Sequence, residues 1–518
     1  MSITAQPVLT RKKILVLLTG LLLAQMIASI EGTVVSTAAP TIVADLGGLK
    51  QISWVFTGYL LTSTTTTPLW GKLSDLLGRR RLYELAIGTF MTGSVLCGAS
   101  GSMGMLIGAR LLQGVGAGGI FTLTMTIMGD VLPPRERGKY QGYMMSVFAV
   151  ATVLGPLIGG LLVDHANWRW IFYMNLPLGF AALALARISL NLPFTRRDHV
   201  IDYGGAMLLC VWVVAALLVM QLGNDWGWDH IETVSLIVVA LVGLGFFVVQ
   251  ENRAREPVLP PHLFRERIFT VGAAMQFAVG AAMFVIAIYC PLFLQDVTGL
   301  KATYSGLLVI PMTIGMLLGS SGGGRRLTRT GKYRWFPVVG GAFMIVATVL
   351  LSAMDRTTSR FTTSAYMLLF GFGAGLVFIV ALVGVQNRVA HEDLGIATSA
   401  VNFFRSLGST MGTALFGAIF IARLDRELVR LAPASGLRAD TLRKSPAQIR
   451  ELEPVLHDSV VQSFTNALHI VFLVTVPFCI VAFVLAWFIP EHPLRASAAI
   501  GVTERQRDDQ GGFGAIAH

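Results

Sequence analysis

An all-α, polytopic membrane fold is predicted by three observations. Apolar residues make up 54% of the 518-residue chain and charged residues only 13%, about half the charged share of a soluble domain. Several apolar runs continue for around 20 residues without a charge, long enough as helices to cross a hydrocarbon core about 30 Å thick. Basic residues alternate between rich and poor loops along the chain, as a membrane topology requires. Barrel strands would be short and alternating, so the spans are helical. A soluble chain of this length would instead divide into cores joined by polar linkers.

The runs place about fourteen spans. The first six are 14–37, 53–70, 82–100, 104–128, 141–163 and 169–190; two follow at 202–221 and 233–250. The last six are 268–293, 304–323, 335–353, 363–385, 397–421 and 466–489. Arg11, Lys12 and Lys13 ahead of an apolar run resemble a secretory signal, but the run is long and further spans follow. It reads as the first membrane helix.

Charge tests the count independently. With a cytoplasmic N-terminus, the inside loops hold Lys72 with Arg79 to Arg81, then Arg135, Arg137 and Lys139, then Arg196 and Arg197. Arg253, Arg255, Arg265 and Arg267 follow, then Arg325, Arg326, Arg329, Lys332 and Arg334. The outside loops hold Lys50, Arg169, Lys301, Arg356 and Arg360. This bias puts both termini in the cytoplasm. One loop, 422–465, is expected outside yet carries Arg423, Arg426, Arg430, Arg438, Arg443, Lys444 and Arg450 among acidic neighbours. A parity error near the C-terminus is the alternative. The net charge of +11 thus reflects topology, and the chain carries no nucleic-acid motif.

Gly71-Lys-Leu-Ser-Asp75-Leu-Leu-Gly78-Arg79-Arg80 follows the second span, and Gly324 to Lys332 repeats its Gly-x6-Gly-base pattern after the tenth. The repeat predicts an N-terminal six-helix bundle (1–190), an inserted hairpin (191–260), a C-terminal six-helix bundle (261–490) and a cytoplasmic tail (491–518). Paired bundles with a site between them are a transporter architecture. Asp75 beside the basic cluster can lock the two halves in one state, or the loop can be a solvated basic turn that sets topology.

Two ionisable residues lie inside spans. Arg110 in MLIGARLLQGVGAGG costs roughly 2.5–3.5 kcal/mol at a helix centre, so it should face a cavity or a partner. Gln113, Gly114, Ala117 and Gly118 share its face. Its role is either a structural ion pair or part of a proton or substrate path. Glu31 in IASIEGTVVSTAAP is the candidate for proton chemistry. Desolvation disfavours its charged form while a nearby Arg110 favours it, so the balance can alternate with conformation. The bland alternative is a glutamate reaching to the external interface.

Other features are weaker. GVGAGG at 114–119 satisfies GxGxxG but sits within an apolar helix, where close packing explains it better than a dinucleotide. Gly142, Gly155, Pro156, Gly159 and Gly160 allow a kinked, closely packed fifth span. Arg405 in NFFRSLGSTMG is a second intramembrane cation, expected to snorkel or to line a cavity. Thr62 and the hydroxyls through Thr67 either line a wet cavity or bond their own backbone. His391-Glu392-Asp393 lacks the spacing of a metal site. Cys97, Cys210, Cys290 and Cys479 form no CxxC pair and read as small core residues.

Taken together these stretches resemble the fourteen-span drug/proton antiporter branch of the major facilitator superfamily (the EmrB/QacA type), over nearly the whole chain. GKLSDLLGRRR is similar to its loop motif after helix two, LIGARLLQGVGAGG to its helix-four motif, and residues 142–160 to its helix-five antiport signature, with Ala151 where a glycine is usual. WRWIFYMNLPLG at 168–179 resembles the signature leading into helix six. IEGTVVSTAAP resembles the helix-one motif, with Glu31 where an aspartate is usual. The resemblance implies two six-helix bundles plus an inserted pair, and proton coupling through Glu31 and Arg110. The residues themselves make Gly71, Asp75, Gly78, Arg79 and Arg80 the gating candidates and Gln113, Thr62 and Arg405 the candidate cavity lining.

The expected function is proton-coupled antiport that exports drugs or other amphipathic or cationic compounds across a bacterial inner membrane. The energy source is the proton gradient, with no cofactor. Partners are the small organic substrate, protons and lipid, with a periplasmic adaptor protein as a candidate and no nucleic acid. A dedicated exporter of one metabolite, lipid or antibiotic is the nearest rival. An intramembrane enzyme or receptor would need clustered catalytic groups or an appended domain.

Overall fold

The computed structural model describes residues 11–47, 51–132, 134–190, 202–298, 309–431 and 454–491. Every regular element among them is helical. The chain begins with α1 (Arg11–Leu46), α2 (Ile52–Leu77), α3 (Arg79–Gly98), α4 (Met103–Val131) and α5 (Pro134–His165). A short α6 (Trp170–Tyr173) leads into α7 (Asn175–Ser189), followed by α8 (Tyr203–Trp226), α9 (Ile231–Arg253) and a short α10 (Pro261–Arg265). Then come α11 (Arg267–Asp296), α12 (Ile310–Thr330), α13 (Trp335–Ser352), α14 (Arg360–Arg388), α15 (Leu394–Leu431) and α16 (Pro454–Trp487).

Ten of the described helical segments are long and apolar enough to cross a membrane. The spans expected at 53–70, 82–100, 141–163 and 304–323 coincide with α2, α3, α5 and α12 over their described residues. Polarity keeps three of these outside the ten: α2 carries the hydroxyl run Ser63–Thr67, α3 three leading arginines, and α12 the Gly-Ser-Arg run at 319–326.

One boundary is corrected. The external loop expected at 422–465 is helical at both ends, since α15 runs to Leu431 and α16 starts at Pro454. Arg423 and Arg430 pair with Glu427 at 2.8 and 2.7 Å, the i,i+4 and i,i+3 spacings that support a helix past its apolar stretch. Residues 432–453, with Arg438, Arg443, Lys444 and Arg450, lie outside the described residues, as do 191–201 and the tail from 492.

Small residues set how closely α4 packs. A Cβ on Gly114 or Gly118 would strike the backbone of α2 at Tyr59 or Ser63, and one on Gly116 would strike α3 at Ala86 and Phe90. The GVGAGG run is therefore the seam by which α4 fits between two neighbours. Thr62 adds a tie by donating to the Leu111 carbonyl at 2.8 Å, and Thr66 and Thr67 bond their own helix backbone. Thr62, Thr66 and Thr67 are thus committed to helix backbone, whereas the buried Thr65 hydroxyl has no hydrogen-bond partner.

On α5, Gly155 and Gly159 receive Thr33 and Thr37 of α1, whereas nothing approaches Gly160. Pro156 lies in the same helix; its side chain lies outside the described residues. At the opposite end of α5, Gly142 is pressed against Ser321 of α12. Gly71 of α2 meets Ser399 and the Gly395 carbonyl on α15, and Gly129 of α4 meets Gln386 and Leu394. These meetings join the first six long helices to the later ones, and they gather at the end that carries the basic loop 71–81.

The two halves of the repeat share a device. Gly78 ends α2 with φ +94° and Gly331 ends α12 with φ +68°, and each donates its N–H back to a carbonyl of the last helical turn. Only glycine enters that region at low cost. Between the halves, α8 and α9 pair through Trp212 on Gly243 and Phe247. Trp212 also meets Phe403 of α15 edge-on, while α9 leaves Ile231, Val238, Leu241 and Phe246 exposed, as a lipid-facing helix does.

Glycine substitutions separate packing from propensity. Gly118→Val places its Cβ 2.5 Å from the Ser63 carbonyl, an overpacking expected to cost about 1–3 kcal/mol. Gly160→Ala meets nothing within 4 Å and should be neutral or stabilising by about 0.4–1 kcal/mol. Melting curves of the detergent-purified variants, read by size-exclusion fluorescence, check the order.

Candidate functional site

Glu31 and Arg110 meet. Arg110 Nη1 donates to Glu31 Oε1 at 2.7 Å, and both side chains are 1% exposed. The arginine lies on α4 and the glutamate on α1, so the pair joins two helices far apart in the chain. Arg110 also donates from Nη1 to Gln113 Oε1 at 2.7 Å and from Nε to the Val55 carbonyl at 3.0 Å, and it stacks 4.3 Å from the Tyr59 ring centroid. The guanidinium thus takes acceptors from α1, α2 and its own helix. In an apolar interior such a group is tolerable only with its donors matched.

The second carboxylate oxygen is matched as well. Asn175 Nδ2 donates to Glu31 Oε2 at 2.6 Å and to Ser94 Oγ at 2.9 Å. Ser94 in turn accepts from Gln113 Nε2 at 3.2 Å and donates to the Phe172 carbonyl at 2.9 Å. Six side chains from five helices (Glu31, Tyr59, Ser94, Arg110, Gln113 and Asn175) form one buried knot. Gln113, expected to line a cavity, is fully buried inside it.

Asn175 and Ser94 were not foreseen. The signal was present for Asn175, an amide inside the otherwise apolar run WIFYMNLPLGF, but nothing in the chain tells which carboxylate it meets. The same segment supplies a peripheral clamp. Trp168 Nε1 and Arg169 Nη1 both donate to Asp45 Oδ2, at 2.9 and 2.7 Å, and Arg169 covers the Trp168 ring. The Trp168 hydrogen bond first, and the Arg169 one second, hold the Asp45 carboxyl below the usual carboxylate range.

A second charged group lies where the halves meet. Arg79 bridges two carboxylates, Asp75 on α2 and Asp130 on α4, with Nε 2.7 Å from Asp130 Oδ2. Asp75 reaches across to the other half, accepting from the Gly395 and Ile396 N–H groups at 3.3 and 3.0 Å. Those are unpaired donors of the first turn of α15, where the helix dipole favours a negative charge. Gln386 of α14 adds hydrogen bonds to Thr398 and to the Met125 carbonyl. Gly71 and Gly78 position this junction, one by close contact and one by its turn. Arg80 instead pairs with Glu84 one turn along α3. Asp130 was not singled out in the sequence, although a lone acid at the end of an apolar helix is a readable signal.

Arg405 stands apart from both of these charged groups. It sits on α15 with its guanidinium 5.8 Å from the Phe378 ring centroid of α14. Asp393 of the short turn before α15 pairs with His262 at 2.7 Å.

Residues 21–413 match the Major Facilitator Superfamily. An uncharacterised MFS-type transporter of Mycobacterium tuberculosis is 41% identical over 489 residues, which covers 94% of this chain and 71% of the relative. The multidrug transporter protein MdtP of Bacillus subtilis is 38% identical over 408 residues, covering 79% of this chain and 75% of the relative. Among solved structures, the proton:xylose symporter XylE superposes with a TM-score of 0.59 at 12% identity, over 93% of this chain and 96% of that one. That last likeness is one of fold alone.

Two outcomes follow from the geometry. Arg110→Met leaves Glu31 buried without its cation and should destabilise the chain by about 3–5 kcal/mol, much of which a second change, Glu31→Gln, should restore. Thermal midpoints of the single and double variants give the coupling. Asp75→Asn weakens the tie to α15, so a cysteine placed at Ser399, beneath Gly71, should label faster with a membrane-impermeant maleimide from the basic-loop side.

Proposed function

Because the chain belongs to the major facilitator superfamily, we propose that it exports drugs or other amphipathic organic compounds in exchange for protons. It is a multi-pass membrane transporter, not an enzyme. The observation that carries the coupling proposal is the Glu31–Arg110 pair, a carboxylate and a cation both closed off from solvent in the first six-helix set. A structural salt bridge in that place adds little stability over apolar packing. A carboxylate that exchanges its proton for an arginine contact gives the pair a use.

The proposed cycle begins from the conformation seen here, with the halves joined at the basic-loop end. By the positive-inside rule that end faces the cytoplasm, with both termini on the same side. A proton from the outside neutralises Glu31 and weakens its bond to Arg110. α1 carries Glu31 and, two and six residues on, Thr33 and Thr37 against Gly155 and Gly159 of α5. α5 carries the change along its length to Gly142 and the junction with α12. The Asp75–Arg79–Asp130 group then gives way, the cytoplasmic side opens, and loss of the proton there resets the pair. Each charge moved down 100 mV supplies roughly 2.3 kcal/mol, a forty- to fiftyfold gradient.

Relatives named for multidrug transport and resistance support drugs as the substrate class, and with bacterial relatives in view we place the chain in a bacterial cell membrane. Glu31→Gln should insert normally yet lose efflux driven by a pH gradient in everted vesicles. Wild-type rates from that variant would remove Glu31 from the coupling.

A further inference from the structure

The two intramembrane arginines differ in one respect. Arg110 has a counter-ion on a neighbouring helix; for Arg405, no carboxylate lies within ion-pair distance among the described residues. The acids on Arg405's own helix, Asp425 and Glu427, lie 20 and 22 residues further along it, about 30 Å away at 1.5 Å per residue and too far to pair. The Nε of Arg405 is buried and has no hydrogen-bond partner. Its side chain as a whole keeps partial exposure, so it can be reached.

A second unmatched group lies on α11, which packs against α15. Gln276 of α11 is fully buried, and neither its amide nitrogen nor its oxygen has a partner. Its position follows from its neighbours. One turn before it, Gly272 faces Ala381 and Val385 of α14; one turn after it, Gly280 touches the Arg405 carbonyl and accepts from Ser409 on α15. Gln276 therefore sits where α11 passes between α14 and α15, the same junction at which Arg405 lies over Phe378. Buried polar groups are nearly always matched, and two unmatched donors at one junction point to a missing acceptor. A guanidinium fork with an amide N–H and an aromatic face beside it suits an oxyanion on an apolar body.

We propose that Arg405 and Gln276 form the recognition site for the negative group of an amphipathic organic anion or zwitterion, a carboxylate or sulfonate. This rests on the export reading for its purpose, and it narrows the substrate class away from simple cations. Arg110 is neutralised by the protein, whereas Arg405 is neutralised by the cargo. An anionic lipid headgroup offers the same chemistry.

The test is direct binding to the full purified chain in phosphatidylcholine nanodiscs, by scintillation proximity with radiolabelled taurocholate and tetraphenylphosphonium. Wild type should bind taurocholate, and Arg405→Gln should lower the anion-to-cation affinity ratio about tenfold, with Arg405→Lys intermediate because a point charge replaces the fork. Gln276→Leu removes an unmatched amide, so its thermal midpoint should hold or rise while taurocholate binding weakens. A wild type that binds the cation but no anion, or variants with an unchanged ratio, would overturn the proposal. Competition by phosphatidylglycerol that Arg405→Gln abolishes assigns the same site to a lipid headgroup. Loss of pH-driven tetraphenylphosphonium efflux bears on the export reading instead, since binding is measured without transport.

Discussion

A guanidinium with five donors cannot be left unmatched among apolar helices, and Arg110 imposes that condition on the first half of the molecule. Its acceptors come from α1, α2 and α4, and the carboxylate it holds is shared with Asn175 of α7. Ser94 of α3 closes the network. Five helices are thus oriented by one cation, and none can rotate without breaking a bond buried away from solvent. The glycines of α4 serve the same end. They let α4 approach α2 and α3 closely enough for short side chains such as Ser94 to reach the knot.

The junction between the halves obeys a related rule with a different outcome. Asp75 is held by Arg79 on its own side and by two backbone N–H groups of α15 on the other. The N-terminal donors of α15 are orphaned when the halves part, unless water or another group takes them. The joined state is therefore stabilised by charge and dipole at its rim, where solvent can substitute when the junction opens. The knot around Arg110 lies inside one half and has no such substitute. Coupling the two requires a stiff connector, and α5 touches α1 at one end and α12 at the other.

The inserted pair is docked rather than free. Trp212 packs on Phe403 of α15, and Lys72 of the basic stretch 71–81 pairs with Glu256 at 3.3 Å. Glu251 at the end of α9 accepts from the backbone of Val258 and Leu259, folding the following segment back toward α2. An insertion that merely lengthened the chain would not need these contacts.

Composition, run length and loop charge by themselves determined that the chain is a bundle of membrane helices, because burying apolar surface in lipid leaves few alternatives. They also marked Glu31 and Arg110, since a charge inside an apolar run is costly wherever it ends up. The tertiary structure decided what those charges meet. Asn175, Ser94 and Asp130 stand as isolated polar or acidic residues in the sequence, and their partners are set only through contacts between distant helices. The ends of α15 and α16 extend beyond their apolar cores because Glu427 ties Arg423, Arg430 and Asn466 together, a side-chain arrangement that hydropathy does not register. Thr62 and Gln113 read as cavity residues from polarity, yet their partners lie within the bundle. Polarity along a chain says that a partner is needed; only the packing of helices says which one.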